Sequence, residues 1–443
     1  MDDADFIQSW FGEHGIEDVE VVVPDMAGAA RGKVLPAGKF GNGEMKIPEG
    51  IFAQVISGHY VPNKKNLEDR DMLLVPDAHT LRPVPWTEDP AASVFVDCLR
   101  QDGTPVNSSP RQVLKNVLAI YAETGWTPIV APEVEFYLLA PYSDPNAEVA
   151  PPEGRLGRTE AARQPFSIDM MNEFEPFINE VYGYCEKQGI FIDTVLQEMG
   201  PAQFEINFLH GDPLTLADQV FLFKRTVREA AIKHGMHATF LAKPMSEEAG
   251  SSLHIHQSVI DEQGANIFSA PDGEPNELFH GYLGGLQKYL PDAFLVFAPY
   301  PNSYRRFLSN WAQPVNLEWA TDNRTVGLRV PDSPPESRRI ENRVGGADLN
   351  PYLAIAATLA CGYLGMTERL RPTEAINGTA YDKPFKLHRS LFSAIDAFES
   401  SAPMRKMMGD EFVDLYSALK HEENDEFQQI ITPWERRILM LNV

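Results

Sequence analysis

Cysteine is scarce in this 443-residue chain: Cys98, Cys185 and Cys361 are the whole complement, with no CxxC pair among them. An odd number at unpaired spacing excludes a disulfide scaffold and a thiolate zinc site, and it suits a reducing compartment. Positive charge is also short. Lys and Arg total 38 against 63 Asp and Glu, a formal net charge of −25. That balance argues against nucleic acid and anionic membranes as partners. Long apolar runs are missing too. The longest, NPYLAIAATLACGYLGM at 350–366, is interrupted by Gly, Thr and Cys and is too short to span a bilayer comfortably. Its Pro351 suits the first turn of a buried helix. The N-terminal MDDADFIQSWF is acidic and lacks a basic, apolar targeting pattern. We therefore expect a cytoplasmic protein. There is no internal repeat and no low-complexity tract, and ordinary hydrophobic and charged fractions argue against long disorder.

What is present divides into a strand-rich beginning and a larger mixed part. Residues 3–14 predict a short amphipathic helix, and 19–36 predict strand, Gly-containing turn and strand. Gly28, Gly32 and Lys33 resemble a phosphate loop only superficially. Three residues separate the glycines where four are needed, and Val34 follows the lysine where Ser or Thr is required. Residues 71–86 and 92–99 read as further strands, which makes the first ~105 residues a small domain. Helices are expected over 108–125, 174–189 and 215–235, and the last ~60 residues, from about Leu387, read as helical. The Pro-, Gly- and charge-rich stretch 140–165 reads as an exposed excursion or lid.

The chemistry starts in APEVEFYLLA, residues 131–140. Val134, Phe136, Leu138 and Leu139 favour a strand, so Glu133 and Glu135 share one face, roughly 6.6 Å apart. At an effective dielectric of about 20 the pair repels by roughly 2 kcal/mol, and desolvation adds to this. Something positive should lie between them. The pattern recurs. Gln203, Glu205 and Asn207 share a face in QFEINF, with Glu198 just upstream. His254 and His256 share one in SSLHIHQS, and Arg339, Glu341 and Arg343 share one in RRIENRV. Singly, such a pattern is more often the solvated side of an antiparallel sheet or a structural pair. Together they fit one polar cavity lined by one sheet. Many oxygens, few nitrogens and no sulfur suit a hard cation, Mg2+ or Mn2+, and several carboxylates suggest two or more ions.

Arginines supply the opposite charge. Arg305 and Arg306 stand in NSYRRF, Arg324 and Arg329 in NRTVGLRVP, and Arg338, Arg339 and Arg343 in RRIENR. They are either surface partners of the acidic excess or bidentate holders of phosphate and carboxylate. Hard cations beside arginines are what phosphoryl transfer uses.

PEVEFYLL, QEMGPAQFEIN, AKPMSEEAGSSLHIHQS, NSYRRF, NRTVGLRVP and SRRIENRVGGADLNPYLAIAA, in that order, resemble the signature segments of the glutamine synthetase family. The similarity runs from about residue 19 to the C-terminus. It implies an α+β fold: a small N-terminal β-grasp domain over 1–105, and a catalytic domain over 106–443 with a curved antiparallel sheet. It also implies a homo-oligomer, commonly a dodecamer of two hexameric rings. The implied reaction is ATP-dependent amide formation through a γ-glutamyl phosphate. By position, Glu135, Glu198 and Glu205 match one metal site, and Glu133, His254 and Glu341 a second. Gly250, Arg306 and Arg343 match glutamate-binding positions. Arg324 matches the contact to the transferred phosphoryl group, and His256, Ser258, Arg329 and Arg339 match nucleotide- or phosphate-contacting positions.

Two departures bear on the nucleophile. Ammonia-using members carry Asp-Gly-Ser-Ser in the N-terminal domain, whereas QVISGHYVPNKKN stands upstream of EDRDMLLVPD here, without an Asp. Family flaps carry Glu before Ala-Pro, whereas SNWAQPVN places Ala312 there. Both losses remove groups suited to a small cation. The chain most resembles γ-glutamyl-polyamine synthetases and related γ-glutamyl-amine ligases, with Phe166 and Trp311 as candidates to shape an amine pocket. The expected partners are glutamate, ATP and a polyamine or small alkylamine. An ammonia-using enzyme, or an inactive structural relative, is the alternative.

Overall fold

The computed structural model describes residues 3–41, 45–61, 69–142, 144, 146–308 and 313–443. Strands β1 (Asp18–Pro24), β2 (Ala30–Pro36), β3 (Lys46–Pro48), β4 (Asp71–Pro76), β5 (Arg82–Val84) and β6 (Ala91–Leu99) form a six-stranded sheet in the order β2-β1-β6-β4-β3, with β5 also on β6. β1 and β6 run parallel, and the other pairs are antiparallel.

Eight more strands make a second sheet: β7 (Thr127–Leu139), β8 (Ile192–Gln197), β9 (Gln203–Phe208), β10 (His237–Thr239), β11 (Leu253–Ile260), β12 (Trp319–Thr321), β13 (Leu328–Val330) and β14 (Ile340–Asn342). Their order is β12-β13-β14-β11-β7-β9-β8, with β10 also on β7. The pairing is antiparallel except between β12 and β13. All four segments with an expected polar face lie in this sheet, although RRIENRV contributes only Ile340–Asn342 as strand and its arginines flank it.

The run expected as a core helix is one. Pro351–Thr367 is buried on nearly all sides, which accounts for its lack of a polar face. Asn350 starts it, accepting from the backbone N–H groups of Tyr352 and Leu353. The same side chain donates to the carbonyl of Asp25 at 2.9 Å, tying the helix to the end of β1. A second tie is ionic. Arg111, buried in helix Pro110–Ala122, reaches Asp77 at 2.6 Å, Asp97 at 2.7 Å and Asp218 at 3.0 Å. Tyr352 donates to Asp218 at 2.5 Å. One guanidinium therefore joins the first sheet to helices Pro213–Lys233 and Pro351–Thr367. The three cysteines are free and buried. No helix of the described residues is long and apolar enough to cross a membrane.

Candidate active site

β7 is the axis of the site. Glu133 is the register partner of His254 on β11 and of Asn207 on β9, while Glu135 is the partner of Glu205 on β9. Outward from β11, His256 pairs with Glu341 and Glu341 with Arg329. The period-two alternation thus brings side chains from five strands onto one surface.

Two acidic nests flank the axis. Carboxylate oxygens of Glu135, Glu198 and Glu205 lie within 4.8 Å of one another. On the β11 side, Glu133, His256 and Glu341 meet the same limit, and a third group, Glu133, Glu205 and His254, bridges the two sides. His254 Nδ1 is 3.1 Å from Glu133 and 3.7 Å from Glu341. His256 Nε2 is 2.8 Å from Glu133, so both histidines of the His-x-His pair face one carboxylate. The Glu205 carboxylate has no hydrogen bond or ion pair from another side chain among the described residues.

Burial shapes the titration. It pushes Glu135 and Glu205 well above the usual carboxylate range; the charge of Glu198 adds to the first and that of Glu133 to the second. Glu198 is raised as well, chiefly by burial. Burial acts the same way on Glu133 and Glu341 but loses there. Hydrogen bonds from His254 and His256 hold Glu133 well below its ordinary value, and Arg343 holds Glu341 down to about 2. So many carboxylates share the site only by keeping protons or by gaining cations. An all-oxygen nest and a neighbouring oxygen–imidazole nest fit two hard divalent ions.

The expected arginines take varied positions. Arg329 pairs with Glu341 at 2.8 Å and Asp322 at 2.9 Å. Arg343 donates to Glu341 and keeps a buried Nε with no hydrogen-bond partner. Arg306, fully buried, donates to the carbonyls of Val344 and Gly345. It lies against Gly250, where a Cβ would sit 2.4 Å from Arg306 Cγ, so only glycine fits. Arg324 is exposed, and its charge is felt at Glu198. Arg339 and Ser258 line a cavity of about 820 Å3 together with Glu133, Asn207, His210 and His256. Phe166 is exposed and has a positive φ of 64°. Trp311, Ala312 and residues 62–66 of the Asp-free stretch lie outside the described residues.

Gln203 belongs to the site although it is not among the residues expected from sequence. Its amide donates to Glu135 at 3.2 Å, to the carbonyl of Gly250 at 3.1 Å and to Ser251 at 3.3 Å. The available signal was its place two residues from Glu205 on the polar face. Ser252, whose backbone N–H donates to Glu135 at 2.8 Å, gave none.

A family model described as glutamine synthetase, catalytic domain, matches residues 107–439. The chain belongs to the glutamine synthetase family. Among family members, the gamma-glutamylputrescine synthetase of Escherichia coli K12 is 34% identical over 435 residues, covering 96% of this chain and 92% of the relative. A glutamate–isopropylamine ligase of a Pseudomonas species is 33% identical, covering 97% and 96%. A glutamine synthetase of Halobacterium salinarum is 31% identical, covering 95% and 93%. The solved structure of apo GmaS without ligand superposes with a TM-score of 0.84 at 27% identity, over 98% of this chain and 99% of that one. The family likeness therefore extends across both sheets.

Proposed function

We propose that this protein is an ATP-dependent ligase that joins the γ-carboxylate of glutamate to an amine larger than ammonia. The observation that carries the reading is the pair of acidic nests on either side of β7, with arginines around them. A carboxylate is a poor electrophile. Transfer of the γ-phosphoryl group of ATP to a γ-carboxylate oxygen turns that oxygen into a leaving group. The amine nitrogen then attacks the carbonyl carbon, phosphate departs with the C–O bonding pair, and the nitrogen loses a proton. Divalent ions, when bound, neutralise phosphate charge in such a site.

Glu135, Glu198 and Glu205 would hold one ion, and Glu133, His254 and Glu341 the other. Arg343 offers its free Nε, with Arg306 and Gly250, to glutamate. Arg324 and Arg339 serve the transferring phosphoryl group. His256, Ser258 and Arg329 serve the nucleotide in the 820 Å3 cavity. Two features support an amine over ammonia: the Asp-free stretch and Ala312 in the sequence, and two relatives named for putrescine and isopropylamine. Phe166, exposed beside the end of β8, is the described aromatic available to contact the alkyl part.

We read residues 1–105 as the β-grasp domain and 106–443 as the catalytic domain. We also read the molecule as a ring-shaped homo-oligomer, a dodecamer of two hexamers. Ile430, Ile431, Trp434, Leu441 and Val443 form an exposed apolar C-terminal stretch, which supports subunit contacts there. ATP as co-substrate and free thiols are compatible with the cytoplasm.

The test is an amine panel. The protein is incubated with ATP, Mg2+, glutamate and, separately, putrescine, spermidine, ethanolamine, methylamine, isopropylamine and ammonia. Phosphate release with one or more alkyl- or polyamines, with a γ-glutamyl amide seen by mass spectrometry, is expected. Release with ammonia alone makes it a glutamine synthetase, and no release with any amine makes it an inactive relative.

A further inference from the structure

Glu135 and Glu205 are held in place by the β7–β9 ladder, where they are register partners. Glu198 is not. β8 ends at Gln197 and β9 begins at Gln203, so Glu198 stands at the start of the connecting turn. That turn is a demanding one. Ala202 adopts a positive φ of 52°, and a Cβ on Gly200 would lie 1.9 Å from the Tyr137 hydroxyl. A non-glycine residue stays in the left-handed region only where its surroundings enforce it.

Gln203 holds the turn from within, its side chain accepting from Gly200 N–H at 2.9 Å and its carbonyl from Glu198 N–H at 2.8 Å; a further holding group comes from far away in the chain. Glu160 accepts from the backbone N–H of Ala202 at 2.8 Å and from Gln197 Nε2 at 3.1 and 3.2 Å. It thereby grips both ends of the turn that carries Glu198. No cation pairs with Glu160 among the described residues, so its carboxylate serves amide donors alone. Its own loop is fastened just after Glu160. Phe166 N–H donates to the carbonyl of Gln197 at 2.9 Å, and Arg163 forks onto Glu248 at 2.9 and 3.0 Å. The C-terminal end of the segment expected as an exposed excursion or lid is thus tied down.

We propose that Glu160 is a positioning residue: by clamping the 198–202 turn it sets Glu198 against Glu135 and Glu205 as the third ligand of one divalent ion. The inference rests on reading those three carboxylates as an ion site. Groups that orient metal ligands without touching the metal are typically worth about 10- to 100-fold in affinity.

The test is Mn2+ binding to the full-length protein without nucleotide, followed by electron paramagnetic resonance. Glu160→Ala is expected to weaken one class of Mn2+ sites about tenfold or more and to leave the other within about threefold. The Mn2+ needed for half-maximal turnover rises in step, with kcat at saturating Mn2+ near wild type. Glu160→Gln is expected to rescue. An oxygen at the Oε2 position still accepts from both the Ala202 N–H and Gln197 Nε2. Wild-type Mn2+ binding in Glu160→Ala overturns the proposal, as does a loss in Glu160→Gln equal to that in Glu160→Ala. Should Glu160→Ala not fold, the rescue variant decides alone: binding within about threefold supports the clamp, and a tenfold loss overturns it. Glu198→Gln is the control for the underlying reading. If it binds Mn2+ like wild type, the ion-site assignment has failed rather than the clamp.

Discussion

Glu133 and Glu135 stand two residues apart on one face of β7, yet their protons are held in opposite ways. Glu133 faces His254 at 3.1 Å and His256 at 2.8 Å, and those rings keep it ionised. Glu135 faces Glu205 and Glu198, its donors among the described residues are the amides of Ser252 and Gln203, and burial favours its protonated form. The strand therefore separates an imidazole-supported carboxylate from an acid-supported one. That asymmetry underlies the assignment of a different ion to each side.

Removing the ladder-held carboxylate should be severe. Glu135→Ala is expected to lower turnover at least ~100-fold and to weaken Mn2+ binding, because an ion loses a charged oxygen. Steady-state kinetics at saturating metal, beside direct Mn2+ titration, check this. Turnover near wild type would count against the site.

Arg324 separates chemistry from binding. It is exposed, and its side chain makes no hydrogen bond or ion pair among the described residues, so Arg324→Ala should leave stability within ±0.5 kcal/mol or so. If it meets the transferring phosphoryl group, kcat falls about 10²- to 10³-fold while the KM for ATP moves far less. An unchanged kcat removes the role.

The raised carboxylates give the metal a pH dependence with a definite sign. Glu135, Glu198 and Glu205 have folded-state pKa values above their unfolded ones. Their contribution to metal-free stability is thus full below the unfolded carboxylate range and fades as pH rises through the raised values. Divalent ions bind the ionised forms and displace the protons. The gain in Tm from added Mn2+ over EDTA should therefore grow as pH rises from the carboxylate range toward neutrality. Calorimetry in two buffers should show proton release on binding. A gain independent of pH would contradict this.

The link between the sheets predicts a stability effect unrelated to metal. Arg111→Met leaves Asp77, Asp97 and Asp218 without their common cation, and should cost about 3 kcal/mol or more. Asp97→Asn, at the more exposed end, should cost less. Urea unfolding followed by tryptophan fluorescence reads both, and equal effects would argue against Arg111 as the shared link.

What the sequence revealed was periodic. Alternation marked β7, β9, β11 and the vicinity of β14 as strands with a polar face, and an all-apolar run marked the helix Pro351–Thr367 as buried. What it hid was set by contacts between distant segments. Glu160 and Ala202 are far apart in the chain, and nothing local in a stretch rich in Pro, Gly and charge indicates that its glutamate caps a turn 42 residues on. Arg111 reads as an ordinary helix-surface residue until Asp77, Asp97 and Asp218 converge on it. Both histidines of HIHQS meeting Glu133 depends on the β7–β11 register, which alternation alone does not fix.

The central claim is that these carboxylates coexist by holding divalent ions on both sides of β7. The most direct measurement is anomalous diffraction from a crystal of the full-length protein soaked with Mn2+ and ADP. Two peaks are expected, one among Glu135, Glu198 and Glu205 and one among Glu133, His254 and Glu341, with ligand oxygens about 2.0–2.6 Å away. Acidic side chains turned to bulk solvent, with no anomalous peak between them, would contradict the account.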